Sequence, residues 1–104
     1  MKRPVFWSRD ALDEIKKTTV RIARDDPPAA RKVAAALRSA ANKLGERATG
    51  RKGRMSGTYE KSVTGLPYII AYALHPARGS DEAVVILHVI HTARNWTSES
   101  WPDT

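Results

Sequence analysis

The sequence predicts a two-layer α+β domain with an N-terminal strand and an antiparallel helical hairpin packed on a small antiparallel sheet, in the order β-α-α-β-β-β. Apolar residues recur at helical spacing through the first half, and the prolines of "RDDPP" divide that half into two helices. The second half alternates or runs apolar over strand lengths. The helices must cover one face of the sheet, because both elements need a common core. A chain of 104 residues is expected to form one such domain.

The first half predicts a short strand and two helices. "PVFW" is the strand candidate, and Ser8 can cap a helix that runs to Arg24. Asp26 can cap the next helix, which has a proline in its first turn, where a missing N–H costs nothing. This second helix is expected to run to about Leu44. Gly45 then predicts a left-handed C-cap.

The second half predicts three strands. "SGTYEKSVTG" alternates, whereas "LPYIIAYAL" and "EAVVILHVIHTA" are buried runs. Between the last two, "HPARGSD" has the composition of a hairpin loop. Residues 1–96 are therefore expected to form the domain, and residues 97–104 a polar C-terminal tail.

Composition excludes several classes of site. The chain has no cysteine, which rules out a disulfide, a thiolate metal site and a cysteine nucleophile. His88 and His91 have opposite strand parity and make a poor metal site, so no metal and no cofactor are predicted. The N-terminus lacks a signal-peptide core, and the apolar runs are too short to cross a bilayer. We expect a soluble, cytoplasmic protein without a membrane partner.

Positive charge is concentrated in the middle of the chain. Residues 31–61 contain nine lysines and arginines against two acids, which gives the whole net charge of +7. Such asymmetry suggests a polyanionic partner, whether nucleic acid, a ribosome or an acidic protein. Charge alone fits a merely solubilising surface equally well. The cations are Arg31, Lys32, Arg38, Lys43, Arg47, Arg51, Lys52, Arg54 and Lys61.

The stretch "GRKGRMSGTYE", residues 50–60, reads as a flexible basic loop before a strand. Its glycines permit left-handed backbone, and its arginines can hold phosphates or carboxylates in bidentate fashion. It is not a P-loop, because it lacks both the GK[ST] ending and a following helix. The composition of this loop favours a binding surface over a catalytic one.

Several stretches, taken in their order along the chain, resemble the RelE/ParE superfamily of toxins from bacterial toxin–antitoxin operons. They are "FWSRDALDEIKKTTVRIARDDPPAARKVAAALRSAANKL", "GRKGRMSGTYE", "LPYIIAYAL" and "ILHVIHTARNW", which together cover about Val5 to Trp96. The resemblance implies one of two activities. RelE-like members cut mRNA in the ribosomal A site, whereas ParE-like members block DNA gyrase.

The resemblance also implies a cognate antitoxin, whose acidic C-terminal segment neutralises the toxin in a hetero-oligomer. That segment is expected to place an amphipathic helix or strand on the helical hairpin and the sheet edge. Its acids are expected to meet Arg51 and Arg54.

One departure bears on the target. Ribonuclease members often carry arginine directly after the position that matches Tyr68, and this chain has Ile69 there. Arg94 is retained, and the ending "LHVIHTAR" is similar to that of ParE-like members. We therefore expect gyrase inhibition first, ribosome-dependent mRNA cleavage second and a basic nucleic-acid-binding module third. Whether the protein is an enzyme stays open.

Candidate site residues follow from these two activities. For a ribonuclease, His91, Arg94 and Arg54 are the catalytic candidates, because cleavage needs a proton carrier and cations near the phosphorus. Glu60 is a candidate base or, alternatively, a partner of Arg51 or Arg54 at the surface. A histidine at a strand end, such as His91, is more often a hydrogen-bonded structural residue than a catalyst. Tyr72 or Trp96 is a candidate for stacking on a nucleobase. The predicted target- or antitoxin-binding set is Arg47, Arg51, Lys52, Arg54, Tyr59, Glu60, Tyr72 and Trp96.

Overall fold

Two helices pack on one face of a five-stranded sheet in the computed structural model, which describes residues 3–76 and 82–93. The elements are β1 Val5–Trp7, α1 Arg9–Ala23, α2 Pro27–Glu46, β2 Arg51–Lys52, β3 Tyr59–Ser62, β4 Tyr68–Pro76 and β5 Glu82–His91. The strands lie in the order β1-β5-β4-β3-β2. The predicted α+β class and the order of the predicted helices and strands are confirmed, and the short strand β2 was not predicted.

The sheet is mixed rather than antiparallel throughout. Strands β2 to β5 form the antiparallel part, but β1 pairs in parallel with β5, with Val5 opposite Val84. The helical hairpin separates β1 from the other strands along the chain, so β1 has no hairpin neighbour and pairs with the open edge of β5. This pairing brings the start of the chain beside the last strand.

The basic stretch is a β-hairpin rather than a flexible loop. Arg51 lies opposite Glu60, and Lys52 lies opposite Tyr59. The turn is closed by the Gly53 amide, which donates to the Thr58 carbonyl at 2.8 Å. We call residues 50–60 the basic hairpin. It forms the outer edge of the sheet.

The helix starts agree with the sequence, but the end of α2 does not. The Ser8 hydroxyl accepts from the Ala11 amide, and the Asp26 carboxylate accepts from the Ala29 amide, as N-caps do. Gly45 is helical and has no positive φ, so the C-cap prediction is wrong. A Cβ at residue 45 would lie 2.6 Å from the backbone oxygen of Arg3. This glycine therefore lets α2 approach the chain just before β1.

Strand β1 pairs with β5 only as far as Ile86, and helix α1 covers the edge of β5 after that residue. A register shift leaves Leu87 as the bulged residue between two regular parts of the strand. There the Glu14 carboxylate accepts from the Val89 amide at 2.9 Å and lies 3.0 Å from Nδ1 of His88. Across the part of the chain that the structure describes, neither helix is long and apolar enough to span a membrane.

Candidate functional site

A buried carboxylate organises the basic hairpin. The side chain of Glu60 is 1% exposed and accepts from the Arg54 amide at 2.9 Å. Its oxygens also lie 3.3 Å from the guanidinium of Arg51 and 3.8 Å from Nε of Arg54. The pairing of Glu60 with these arginines, considered from the sequence, is therefore confirmed, but it is not a surface pair on the Glu60 side, since only the arginine partners are exposed. Glu60 holds the turn and its two arginines in place.

The cations of the basic hairpin remain accessible. The side chain of Arg51 is 65% exposed and that of Arg54 is 38% exposed. Lys52 is exposed beside them, and Arg47, which forms the C-cap of α2, is exposed before them. A fixed guanidinium loses less conformational entropy on binding than a mobile one, so this surface is preorganised for an anion.

The two tyrosines of the predicted site form a stacked pair. Their ring centroids lie 5.5 Å apart, and Tyr72 is 1% exposed, whereas Tyr59 is half-buried. The Tyr72 hydroxyl donates to the Thr49 carbonyl at 2.6 Å. Burial, followed by the neighbouring Tyr59, raises the pKa of Tyr72 above its ordinary value. Tyr72 is therefore a core residue. The prediction that its ring stacks on a nucleobase is wrong, because the ring is not accessible.

His91 lies apart from the basic hairpin. His91 is paired with Tyr68 and lies on the face of the sheet that the helices cover, as Ile70 does. Arg51 and Glu60 are in register with Ala71 and lie on the other face. Three strand spacings, or about 14 Å, also separate His91 on β5 from Arg51 on β2. The predicted catalytic grouping of His91 with Arg54 is thus not assembled. Its third candidate, Arg94, lies outside the described residues, as does Trp96.

The contacts of His91 are those of a structural histidine. Its Nδ1 accepts from the Ala93 amide at 3.0 Å, and its ring meets Tyr68 edge-on, with centroids 5.2 Å apart. His88 lies on the opposite face, because the register between the two histidines is regular. Within residues 3–76 and 82–93, no group of three or more potential ligands could hold a metal ion.

An apolar groove runs between the two helices on the side away from the sheet, and we call it the interhelical groove. Leu12 and Val20 line it and are 51% and 49% exposed. Its volume is about 470 Å³, and a smaller cavity of about 220 Å³ beside Trp7 shares three of its lining residues. None of the described residues that line it is acidic. Its basic lining residues are Lys16, Arg31 and Arg38.

The sequence held a signal for this groove that the prediction did not use. Helix α1 has more large apolar residues than a single sheet-facing stripe can bury, because Leu12 and Val20 accompany Ile15 and Ile22. An amphipathic helix with two apolar stripes needs a second covering surface. Part of that surface is supplied by α2, and the rest is open.

The fold and its surfaces define a small α+β protein with a preorganised cationic hairpin and an open apolar groove. A family model described as "ParE toxin of type II toxin-antitoxin system, parDE" matches residues 5–96. The chain therefore belongs to the ParE toxin family of type II toxin–antitoxin systems.

Two further comparisons found a similar protein and a similar solved structure. A protein of Sinorhizobium fredii (strain NBRC 101917 / NGR234) named "Putative toxin Y4kP" is 33% identical over 96 residues, which cover 91% of this chain and 94% of that protein. A solved structure titled "Chromosomal ParDE TA system from P. aeruginosa" has the same fold, with a TM-score of 0.74 at 16% identity. The similarity covers 86% of this chain and 96% of that one.

Proposed function

We propose that this ParE-family toxin arrests growth by inhibiting DNA gyrase in the cytoplasm and that a cognate antitoxin neutralises it. The observation that carries the choice of target is the separation of His91 from the basic hairpin. Cleavage of RNA needs a base, an acid and cations around one phosphorus. A binding inhibitor needs only an accessible, preorganised surface, which the basic hairpin supplies.

Two further features support a binding surface over a catalytic one. Ile69 is buried and apolar at the position where ribonuclease members often have arginine. Glu60, the candidate base, is covered by the arginines that it holds. Ile69 has no polar side-chain atom, and the buried carboxylate of Glu60 is not accessible to a bound RNA.

The antitoxin is proposed to dock in the interhelical groove through an amphipathic helix. The exposed parts of Leu12 and Val20 offer apolar contact, and the basic rim suits acidic residues on the flanks of that helix. The acidic segment is then proposed to continue to the basic hairpin, where Arg51 and Arg54 are exposed.

A supercoiling assay with purified gyrase tests the target. The wild-type protein should inhibit supercoiling or trap a gyrase–DNA complex, and Arg51→Glu/Arg54→Glu should remove most of that effect. The matched control is Lys17→Glu/Arg21→Glu, which changes the same charge at exposed positions of α1 and should remain inhibitory. Normal gyrase activity at high excess of the wild-type protein would refute the proposal.

Ribosome-dependent mRNA cleavage is the second candidate function. The observation that favours it is the pair of exposed guanidinium groups fixed by Glu60, since cations of this kind stabilise charge on a phosphate. Primer extension in a translating extract should then show cuts at A-site codons that disappear in Arg94→Ala. Intact transcripts would exclude this function.

A further inference from the structure

A third surface lies between the second half of α2 and the end of β3, and we call it the lysine groove. Its volume is about 350 Å³. Leu44 and Val63 form part of an apolar floor, together with alanines of α2. Six polar side chains also line it, namely Ser39, Lys43, Thr49, Lys61, Ser62 and Thr64.

The pairing of the strands explains why this groove is open. Strand β2 pairs only with Tyr59 and Glu60, so it does not cover the outer edge of β3 beyond them. Thr49 forms one wall, and its carbonyl is fixed by the hydrogen bond from the Tyr72 hydroxyl. The groove is thus built on an anchored part of the chain.

The charge of the groove has one sign. Lys43 and Lys61 carry it, and no carboxylate stands among the described residues of its lining. Seven of the ten residues that line the groove also lie within residues 31–61, which carry the net charge of +7. The C-terminal end of α2 carries the negative end of the helix dipole, which repels an anion near the last turn. Lys43 lies in that turn, and its positive charge offsets this repulsion.

We propose that the lysine groove binds the phosphodiester backbone of a nucleic acid, with one nucleotide seated in it. Four hydroxyls and two ammonium groups offer many separate donors, which suits a phosphate with several acceptor oxygens. A carboxylate partner would favour the bidentate fork of arginine, and the described lining contains none. The volume is at the small end for ligand sites, which fits a single nucleotide.

This contact is separate from the gyrase- and antitoxin-binding surfaces proposed above. None of the six polar side chains belongs to the basic hairpin or lines the interhelical groove. The nucleic-acid proposal therefore depends on different side chains from the gyrase and antitoxin proposals, and each can be tested with its own variants.

Fluorescence anisotropy with the isolated protein tests the proposal. The probes are labelled single-stranded DNA, duplex DNA and RNA of about 12 nucleotides, and comparison of the three identifies the source of the phosphodiester. Lys43→Gln/Lys61→Gln should weaken binding about tenfold and lower the salt dependence, because each lost phosphate contact removes roughly 0.7–0.9 from the slope of log K against log salt.

A matched control separates this site from general charge attraction. Lys17→Gln/Lys32→Gln removes the same charge at exposed positions outside the groove and should weaken binding by less than about threefold. An equal loss in both double variants would overturn the proposal, as would unchanged affinity in the groove variant. Thermal unfolding of each variant by circular dichroism verifies that the fold persists.

A second readout locates the contact directly. In a ¹⁵N spectrum, the oligonucleotide should shift the amides of Thr49, Ser62 and Thr64, and Ser62→Ala should weaken binding without a change of charge. Shifts confined to the basic hairpin would overturn the proposal. Supercoiling inhibition by the same variants is scored separately. If the groove variants bind the oligonucleotide as tightly as the wild-type protein does, only this inference is refuted, and the gyrase proposal stands or falls on the supercoiling assay alone.

Discussion

The interhelical groove and the lysine groove share α2 as a wall, and both carry positive charge, yet their linings differ. The interhelical groove exposes large apolar side chains, above all Leu12 and Val20, between basic residues. The lysine groove has a smaller apolar floor, over which four hydroxyls and two lysines stand. No acidic residue occurs in either lining, as far as the described chain goes.

The difference shows what net charge alone leaves undecided. A basic surface indicates an anionic partner, but the uncharged part of the lining indicates which kind. Apolar burial can supply most of the affinity in the interhelical groove, which suits an amphipathic helix. Hydroxyls supply donors instead, which suits a phosphate and predicts a strong dependence on salt. Four sets of substitutions test this distinction, and the last of them also predicts a dependence on pH.

The largest effect is expected for Leu12→Glu/Val20→Glu. Acids in the apolar groove should repel an acidic antitoxin segment and weaken it about 100-fold, or about 2.7 kcal/mol, by isothermal titration calorimetry. Phe6→Glu is the control, because Phe6 is 57% exposed but lies outside both grooves. Oligonucleotide binding by the double variant should not fall by more than a few-fold. Unchanged antitoxin affinity would remove the interhelical groove as the docking site.

Gly45→Ala should disturb both grooves at once, because it affects the helix that they share. The added Cβ would meet the Arg3 backbone oxygen at 2.6 Å and Cγ2 of Val5 at 2.8 Å. Overpacking should lower the free energy of unfolding by about 1–3 kcal/mol, in spite of the better helix propensity of alanine. Urea unfolding measures this change. A stabilised variant would show that the close approach of α2 to the start of the chain is not required.

Glu60→Gln should act on the basic hairpin and leave both grooves unaffected. The amide keeps the shape of the side chain but weakens its hold on the Arg54 amide and the Arg51 guanidinium. We expect the free energy of unfolding to fall by about 1–2 kcal/mol and gyrase inhibition to weaken. Glu46→Gln, at an exposed position of α2, is the charge-matched control. If the control has an equal effect, the buried position of Glu60 is not the cause.

Tyr72→Phe should produce the smallest effect. It removes the hydrogen bond to Thr49 and should lower the free energy of unfolding by about 1 kcal/mol. Because Thr49 also lines the lysine groove, oligonucleotide binding should weaken while antitoxin binding does not. Tyr59→Phe, which keeps the hydrogen bond of Tyr72 to Thr49, is the control.

The raised pKa of Tyr72 adds a dependence on pH. The folded state favours the neutral phenol, so this stabilisation is complete below the unfolded pKa, near 10. It is lost as pH rises from there through the higher pKa of the folded state. Urea unfolding at increasing alkaline pH should therefore show a loss in the wild-type protein that is smaller in Tyr72→Phe. Equal losses would assign the effect to other groups.

Local chemistry explains what was predictable in the fold. Ser8 and Asp26 cap the helices that they precede, because an N-cap acts on amides two or three residues away. The C-cap prediction at Gly45 is wrong because a glycine is needed there for the close approach of Arg3, which is distant in the sequence. The parallel pairing of β1 with β5 and the formation of the short strand β2 likewise depend on pairing between segments, which local sequence does not specify.

The sequence by itself determined the two capped helices, the three main strands, the concentration of charge in residues 31–61 and the resemblance to a toxin family. Each of these depends on residue type and short-range spacing. Only the tertiary structure decided that Glu60 and Tyr72 are buried, that His91 lies across the sheet from the basic hairpin, and that α2 borders two different grooves. Those features depend on register and on contacts between distant segments, and a shift of one residue in a strand would reverse which side chains are accessible.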